Sequence, residues 1–218
     1  MTIKMTGNQA AQLRARWVTE VAQEINVCLS RTGAATSPFG EIDGLVDLRG
    51  LPLSSILKSE TIAMAAPKPI PLKSVPPIKK MDFSHGHFVG GGQFSSVEVE
   101  DCRFDFFELG SNWRRLFRRC SFVKAKLKRA HLGGIFEDCD FSKADLSQSV
   151  AGVPDRFVRC NFQGCSFKRA SWTRVVLEHC DFSQATFGKG TFHGATFTGG
   201  APSREQFGDT IVDRAVFG

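Results

Sequence analysis

The sequence predicts an all-β solenoid, a chain wound into a coil with sides five residues long. Large apolar residues recur every five positions, and a small residue stands two before most of them. The aromatic content points the same way: 218 residues hold 20 Phe and 3 Trp but no Tyr. A Tyr hydroxyl suits surfaces and sites, so Phe-only usage confines aromatics to a dry interior. A period of five matches neither a helix nor a flat strand. It matches a coil in which the large residue and the small one both point inward.

The pattern is most regular from Phe157 through Phe162, Phe167, Trp172, Leu177, Phe182, Phe187 and Phe192 to Phe197, with Cys160, Cys165, Ala170, Val175, Cys180, Ala185, Gly190 and Ala195 between them. The segments CDFSQ (180–184), ADLSQ (144–148) and CNFQG (160–164) resemble the pentapeptide repeat family, whose pattern is Ala/Cys, Asp/Asn, Leu/Phe and two variable residues. That resemblance implies a right-handed quadrilateral β-helix with four pentapeptides per coil. It implies almost nothing specific about activity.

In chain order, residues 1–45 are expected to form a helical extension and 46–218 the β-helix. Leu13, Trp17, Val21, Ile25 and Cys28 recur at helical spacing within 8–30, with Asn8 as N-cap and Gly33 as stop. Such a helix would cap the open first coil, where a solenoid exposes core and strand edges. Leu48 and Leu53 with Phe83 and Phe88 supply four sides of a first coil, which makes 54–82 an insertion: a short helix at 54–65, then the proline-rich PKPIPLKSVPP at 67–77. The centres then group as Phe94, Val99, Phe104, Leu109; Phe117, Phe122, Leu127, Leu132; and Phe136, Phe141, Leu146, Ala151. In that grouping every irregular step falls at one corner, where 111–115 and 152–156 would protrude. About seven coils result, a rod roughly 30–35 Å long at about 4.8 Å per coil.

Composition limits the chemistry. Mean hydropathy of −0.13 and 23% charged residues exclude disorder, and no apolar run approaches the roughly 20 residues of a membrane span. The N-terminus lacks the apolar core of a secretory signal, so a cytoplasmic location is expected. Six of the seven cysteines (Cys102, Cys120, Cys139, Cys160, Cys165, Cys180) occupy the small inward position and read as core thiols. The five histidines are scattered, and neither the glycines at 90–92 nor any acid pair completes a phosphate loop or catalytic constellation. The chain therefore reads as a non-enzyme with no cofactor and no metal.

Net charge is +6, divided as +4 in residues 1–80 and +2 in 81–218. An acidic stripe of Glu98, Glu100, Asp101, Asp140 and Asp181 is expected beside a basic one of Arg103, Lys126, Lys128, Arg129, Lys168, Arg169 and Lys189. Arg114, Arg115, Arg118 and Arg119 surround the corner loop, with Arg156 and Arg159 further on. The candidate partner-binding residues among these cations are Arg103, Lys126, Lys128, Arg129, Lys168, Arg169, Arg114, Arg115, Arg118, Arg119 and Arg156. Leu116, Ile135, Val158 and Val176 form an outward apolar strip, to be covered by the N-terminal helix, the insertion or a partner. The expected function is a protein-binding module, an inhibitor or immunity-type partner of a toxin or enzyme. Within the resembled family the best-known activity is DNA mimicry against gyrase, which needs a more acidic rod. Electrostatic nucleic-acid binding ranks last, and the last coil is expected to pair end to end with a second copy.

Overall fold

The computed structural model describes residues 7–53, 76–89, 94–108 and 112–218. The expected helix at 54–65, nearly all of the proline-rich run and the glycines 90–92 lie outside the described residues.

The chain begins with two helices, α1 (Gly7–Ala15) and α2 (Thr19–Thr32). Asn8 lies inside α1, while Gly33 ends α2 in the left-handed conformation (φ 65°) with its N–H on the Leu29 carbonyl. One continuous helix was expected. The break seats Arg16 and Trp17 on the first coil: Arg16 forks onto Asp47 at 2.6 and 3.0 Å, and Trp17 Nε1 donates to the Arg49 carbonyl at 2.8 Å. Arg14 Nε donates to the His85 carbonyl, and Asn26 to that of Pro52. Both helices thus pack on the open end of the coil, where Ile25 and Leu29 join Leu48, Leu51 and Leu53 in one core.

Strands β1 (Glu41–Ile42) and β2 (Leu45–Asp47) form a hairpin, and β3 (Pro52–Leu53) follows. Coiling resumes at β4 (Ile78–Lys79), inside the stretch expected to be insertion, and continues through β5 (Met81–Asp82), β6 (His87–Phe88), β7 (Phe94–Glu100), β8 (Asn112–Arg118) and β9 (His131–Glu137). Then come β10 (Val150–Ala151), β11 (Arg156–Val158), β12 (Ser171–Trp172), β13 (Val176–Glu178), β14 (Thr196–Thr198), the one-turn α3 (Arg204–Phe207) and β15 (Val216–Phe217). Apart from the β1–β2 hairpin, the strands pair in parallel with the coil before and after. The result is a right-handed quadrilateral β-helix whose number of coils roughly fits the seven expected.

Register defines four faces. Face 1 stacks Ile78, Val99, Phe117, Phe136, Phe157, Leu177, Phe197 and Phe217. Face 2 stacks Phe83, Phe104, Phe122, Phe141, Phe162 and Phe182, and face 3 stacks Leu53, Phe88, Leu127, Leu146, Phe167 and Phe187. Face 4 stacks Trp113, Leu132, Ala151, Trp172, Phe192 and Val212. Rings on one face lie parallel, as in Phe136 on Phe157 at 4.9 Å and 4°. Rings on adjacent faces meet edge to face, as in Phe136 on Phe141 at 5.6 Å and 63°. A Tyr hydroxyl on this axis would replace a packed edge with an unpartnered donor. Trp172 is accommodated because its Nε1 donates to Ser149 Oγ at 2.9 Å.

This register corrects the upstream grouping. Val99 stacks on Phe117 rather than Phe122, and Phe104 on Phe122 rather than Leu127. Leu48 and Leu53 lie one level beyond Phe83 and Phe88 on the same two faces, so the four do not complete a single coil. The cause is Trp113. It was expected in a loop, yet it is a fully buried centre reached by short sides, and Arg114 and Arg115 follow it in β8. The irregular sides therefore flank face 4 instead of sharing one corner. The loop at 152–155 does project, with Val153 67% exposed.

Candidate partner-binding surface

The turns explain where charge can sit. The residue two after most centres adopts a left-handed conformation, Val153 after Ala151 being an exception, and between faces 1 and 2 these corner residues are Lys80, Asp101, Arg119, Asp138, Arg159 and His179. From Lys80 to Arg159 their signs alternate. Arg119 forks onto Asp101 at 2.6 and 2.9 Å, and Arg159 onto Asp138 at 2.6 and 2.8 Å. These bonds hold the Asp101 and Asp138 carboxyls below their ordinary values. On face 1, Arg118 meets Glu137 at 2.8 Å and Arg156 meets Glu178 at 2.7 Å. Arg118, Arg119 and Arg156 are thus neutralised from within the rod.

The acidic stripe divides on inspection. Glu98 and Glu100 belong to face 1, whereas Asp140 and Asp181 belong to face 2, where each caps its own turn by accepting the N–H of Ser142 (2.8 Å) or Ser183 (2.7 Å). Asn161 does the same for Gln163, which gives Asp/Asn before each centre a local backbone role. Asp105, raised by burial, accepts instead from the next coil, through the Ser121 hydroxyl and the Val123 N–H.

Arg103 was expected on the basic stripe. It lies on face 2, between Asp82 and Asp43 at 3.1 Å each, because the register is shifted by one face. Lys126 on face 3 pairs with Glu108 at 2.6 Å, and Arg14 reaches the same carboxylate at 3.1 Å. Lys128, Lys168 and Arg169, with Lys189, are exposed on face 3 and its corner with face 4, and none has an ion pair among the described residues. Arg129 donates to Gln148 at 2.8 Å. Lys168, Arg169 and Lys189 line a groove of about 570 Å³ with Ser147, Gln148 and Gly188.

A second groove, of about 550 Å³, lies on face 4, lined by Arg114 and Arg115, then His131, then Val150, Val153 and Pro154, and on the next coil Arg174. Its shape depends on Asp155, which is 6% exposed and accepts the N–H of Gly134 at 2.7 Å and of Gly152 at 2.6 Å. Gly134 has φ +102°, and a Cβ there would stand 2.2 Å from the Arg115 carbonyl, so only glycine fits. Sequence reading found Arg114 and Arg115 but not Arg174, His131 or Asp155. The missing signal is the corner position: Arg115 and Arg174 both stand two after a face-4 tryptophan.

The helices make their hydrogen bonds and ion pairs at the open end of the coil, to Asp47, Arg49, Pro52, His85 and Glu108, and not to the apolar strip. Ile135 is 38% exposed, and Arg118–Glu137 and Arg156–Glu178 border the strip. The thiols of Cys120, Cys139, Cys160 and Cys180 donate to carbonyls one coil back at 3.4–3.5 Å, and burial raises Cys102 and Cys139 and pushes Cys165 up to about 12. Among the described residues there is no group of metal-binding side chains, and no helix is long and apolar enough to cross a membrane.

A family model for pentapeptide repeats, with nine copies, matches residues 157–202. Residues 157–202 are thus similar to the pentapeptide repeat family. The match takes in the coils whose sides are all five residues long; the coils flanked by short or long sides lie upstream of it. Solved structures with some likeness include two trypsin-treated variants of QnrB1, a plasmid-mediated fluoroquinolone resistance protein. They are 11% and 18% identical, cover 63% and 64% of this chain and 83% of the other in each case, and both have a TM-score of 0.31. HetL, a pentapeptide repeat protein involved in heterocyst differentiation regulation in the cyanobacterium Nostoc sp. strain PCC 7120, is 12% identical, with coverage of 79% and 87% and a TM-score of 0.17. No curated protein matches the chain.

Proposed function

We propose that this protein is a binding module that docks an acidic surface of a protein partner on face 3 and its corner with face 4, and inhibits that partner, a toxin or an enzyme, by occlusion. The observation that supports this reading is the sorting of charge by pairing. Arg103, Arg118, Arg119, Arg156 and Arg159 are consumed by carboxylates of the same chain, whereas Lys128, Lys168, Arg169 and Lys189 are not. Unpaired cations on a rigid surface steer an acidic partner and fix its register. The carboxylates Asp140 and Asp181, which a DNA mimic would display, cap turns.

The test is a complex isolated from the native host, repeated with Lys168→Glu/Arg169→Glu. A stoichiometric complex lost on charge reversal supports the reading, and a complex that survives it overturns the docking face. Purified gyrase should supercoil unchanged in its presence. Duplex DNA should not shift at about 50 mM salt, where a purely electrostatic binder shows itself. A supercoiling effect or a gel shift would replace this reading with the corresponding alternative. Pairing through the last coil is part of the same proposal, because Phe217 is 52% exposed on β15, whose outer edge has no strand among the described residues. A monomeric mass at high concentration would remove it.

A further inference from the structure

The face-4 groove differs from the face-3 surface in interleaving cations with exposed apolar residues. Arg114, Arg115 and Arg174 supply three guanidinium groups, none of them in an ion pair among the described residues, although other arginines of the rod close on carboxylates at 2.6–2.8 Å. The one carboxylate in the lining, Asp155, is buried, has both oxygens engaged by backbone N–H groups and forms no ion pair with the arginines, so three guanidinium groups outnumber one carboxylate there. Between these cations, on the intervening coil, Val150 and Val153, 43% and 67% exposed, and Pro154 form an apolar wall. Gly133 and Gly152 leave the floor flat. A Cβ at Gly133 would press on Arg114 Cγ at 3.1 Å, and one at Gly152 would lie 3.4 Å from the Thr173 carbonyl.

The groove crosses the coils centred on Trp113, Leu132, Ala151 and Trp172. Three inter-coil steps of about 4.8 Å span roughly 14 Å, the length of about four residues of extended chain. Guanidinium groups favour planar oxyanions, which they can grip with two parallel bonds. The apolar wall asks for a hydrocarbon group beside the charge. A peptide with acidic and aliphatic side chains supplies both.

We infer that this groove takes an extended acidic segment of a protein partner. Its carboxylates pair with Arg114, Arg115 and Arg174, and an aliphatic side chain rests on Val150, Val153 and Pro154. The inference rests on the reading of the chain as a protein-binding module and assigns it a second, shape-specific contact.

The probe is a fluorescein-labelled decapeptide, Gly-Ser-Glu-Leu-Glu-Glu-Leu-Glu-Ser-Gly, followed by anisotropy with the full chain at about 50 mM salt. Binding with Kd below about 100 µM is expected, weakened about tenfold or more by Arg114→Ser/Arg174→Ser. Replacing both Leu by Ser in the peptide should weaken binding several-fold, whereas Lys124→Ser/Lys143→Ser, at exposed cations that line neither groove, should leave it unchanged. Arg174→Ser alone serves as the second variant if the double variant melts early. No saturation up to about 1 mM, equal loss with the Lys124→Ser/Lys143→Ser variant, or indifference to the Leu replacements overturns the inference. The two proposals fail separately. A host complex lost with Lys168→Glu/Arg169→Glu but untouched by Arg114→Ser/Arg174→Ser removes the groove and keeps the module, while a complex untouched by either removes both.

Discussion

Asp155→Asn tests whether one buried carboxylate builds the face-4 groove. The wild-type side chain accepts two backbone N–H groups, from Gly134 at 2.7 Å and Gly152 at 2.6 Å, at a position 6% exposed. Asn has nearly the same shape but only one acceptor oxygen, so its amide N–H₂ would confront one of the two donors. The loss is a charge-assisted bond of about 1.5–3 kcal/mol and a buried donor left without a partner, together about 2–4 kcal/mol. For a chain of this size that corresponds to a melting temperature lower by about 5–15 °C. Asp181→Asn is the control, because Asp181 is exposed and makes one turn bond, to Ser183 N, of the kind Asn161 already makes to Gln163. It should change stability by less than about 0.5 kcal/mol. Thermal unfolding by circular dichroism, with amide exchange at Gly134 and Gly152, reads both variants. Equal melting temperatures with unchanged exchange at those amides would refute the assignment.

Phe136→Tyr should cost about 2–4 kcal/mol in denaturant unfolding, since its hydroxyl would enter the ring stack without a partner, and Phe217→Tyr at the exposed end should be tolerated; equal tolerance would contradict the explanation for the missing Tyr. Burial lowers the His85 pKa and favours its neutral form in the folded state, so its contribution is present above the unfolded value of 6.5 and is lost as pH falls below it. Burial would raise Asp47, but hydrogen bonds from Arg49 and Arg16 hold it well below 3.8, so its contribution persists at pH 5 and is lost only in stronger acid. Denaturant titrations at pH 7.5, 5 and 3 should therefore show two separate losses, the first reduced in His85→Gln and its remainder due to His87, whose pKa burial also lowers. Maleimide at pH 8 should label Cys28 in the native protein and leave the six buried thiols intact until unfolding; fast labelling of Cys139 would mean that the coil opens.

The downstream coils were legible because each side from Phe157 to Phe197 has five residues and every centre is large and apolar. Upstream, Trp113 lies between Leu109 and Phe117 in two short sides, and counting in fives passes over it. That omission moved Val99 and Phe104 by one face and carried Arg103 from the acidic side to the basic one. Cation positions at Lys128, Lys168 and Arg169 were readable because their coils keep the period. Their freedom from ion pairs was not, since Arg119 and Arg159 look equally free in sequence and find their carboxylates one coil away, 18 and 21 residues back. Arg174 and Asp155 were missed because a groove wall made by a six-residue side has no periodic signature.

The alternating corner of Lys80, Asp101, Arg119, Asp138 and Arg159 constrains how this rod could change length over evolutionary time. Excising the coil that holds Asp138 would bring Arg119 against Arg159, and excising the one that holds Arg119 would bring Asp101 against Asp138. Removing both restores opposite neighbours, Asp101 beside Arg159. Along this edge, repeats are tolerated in pairs, so gain or loss of an even number of turns is the route by which a shorter or longer relative keeps its corner intact.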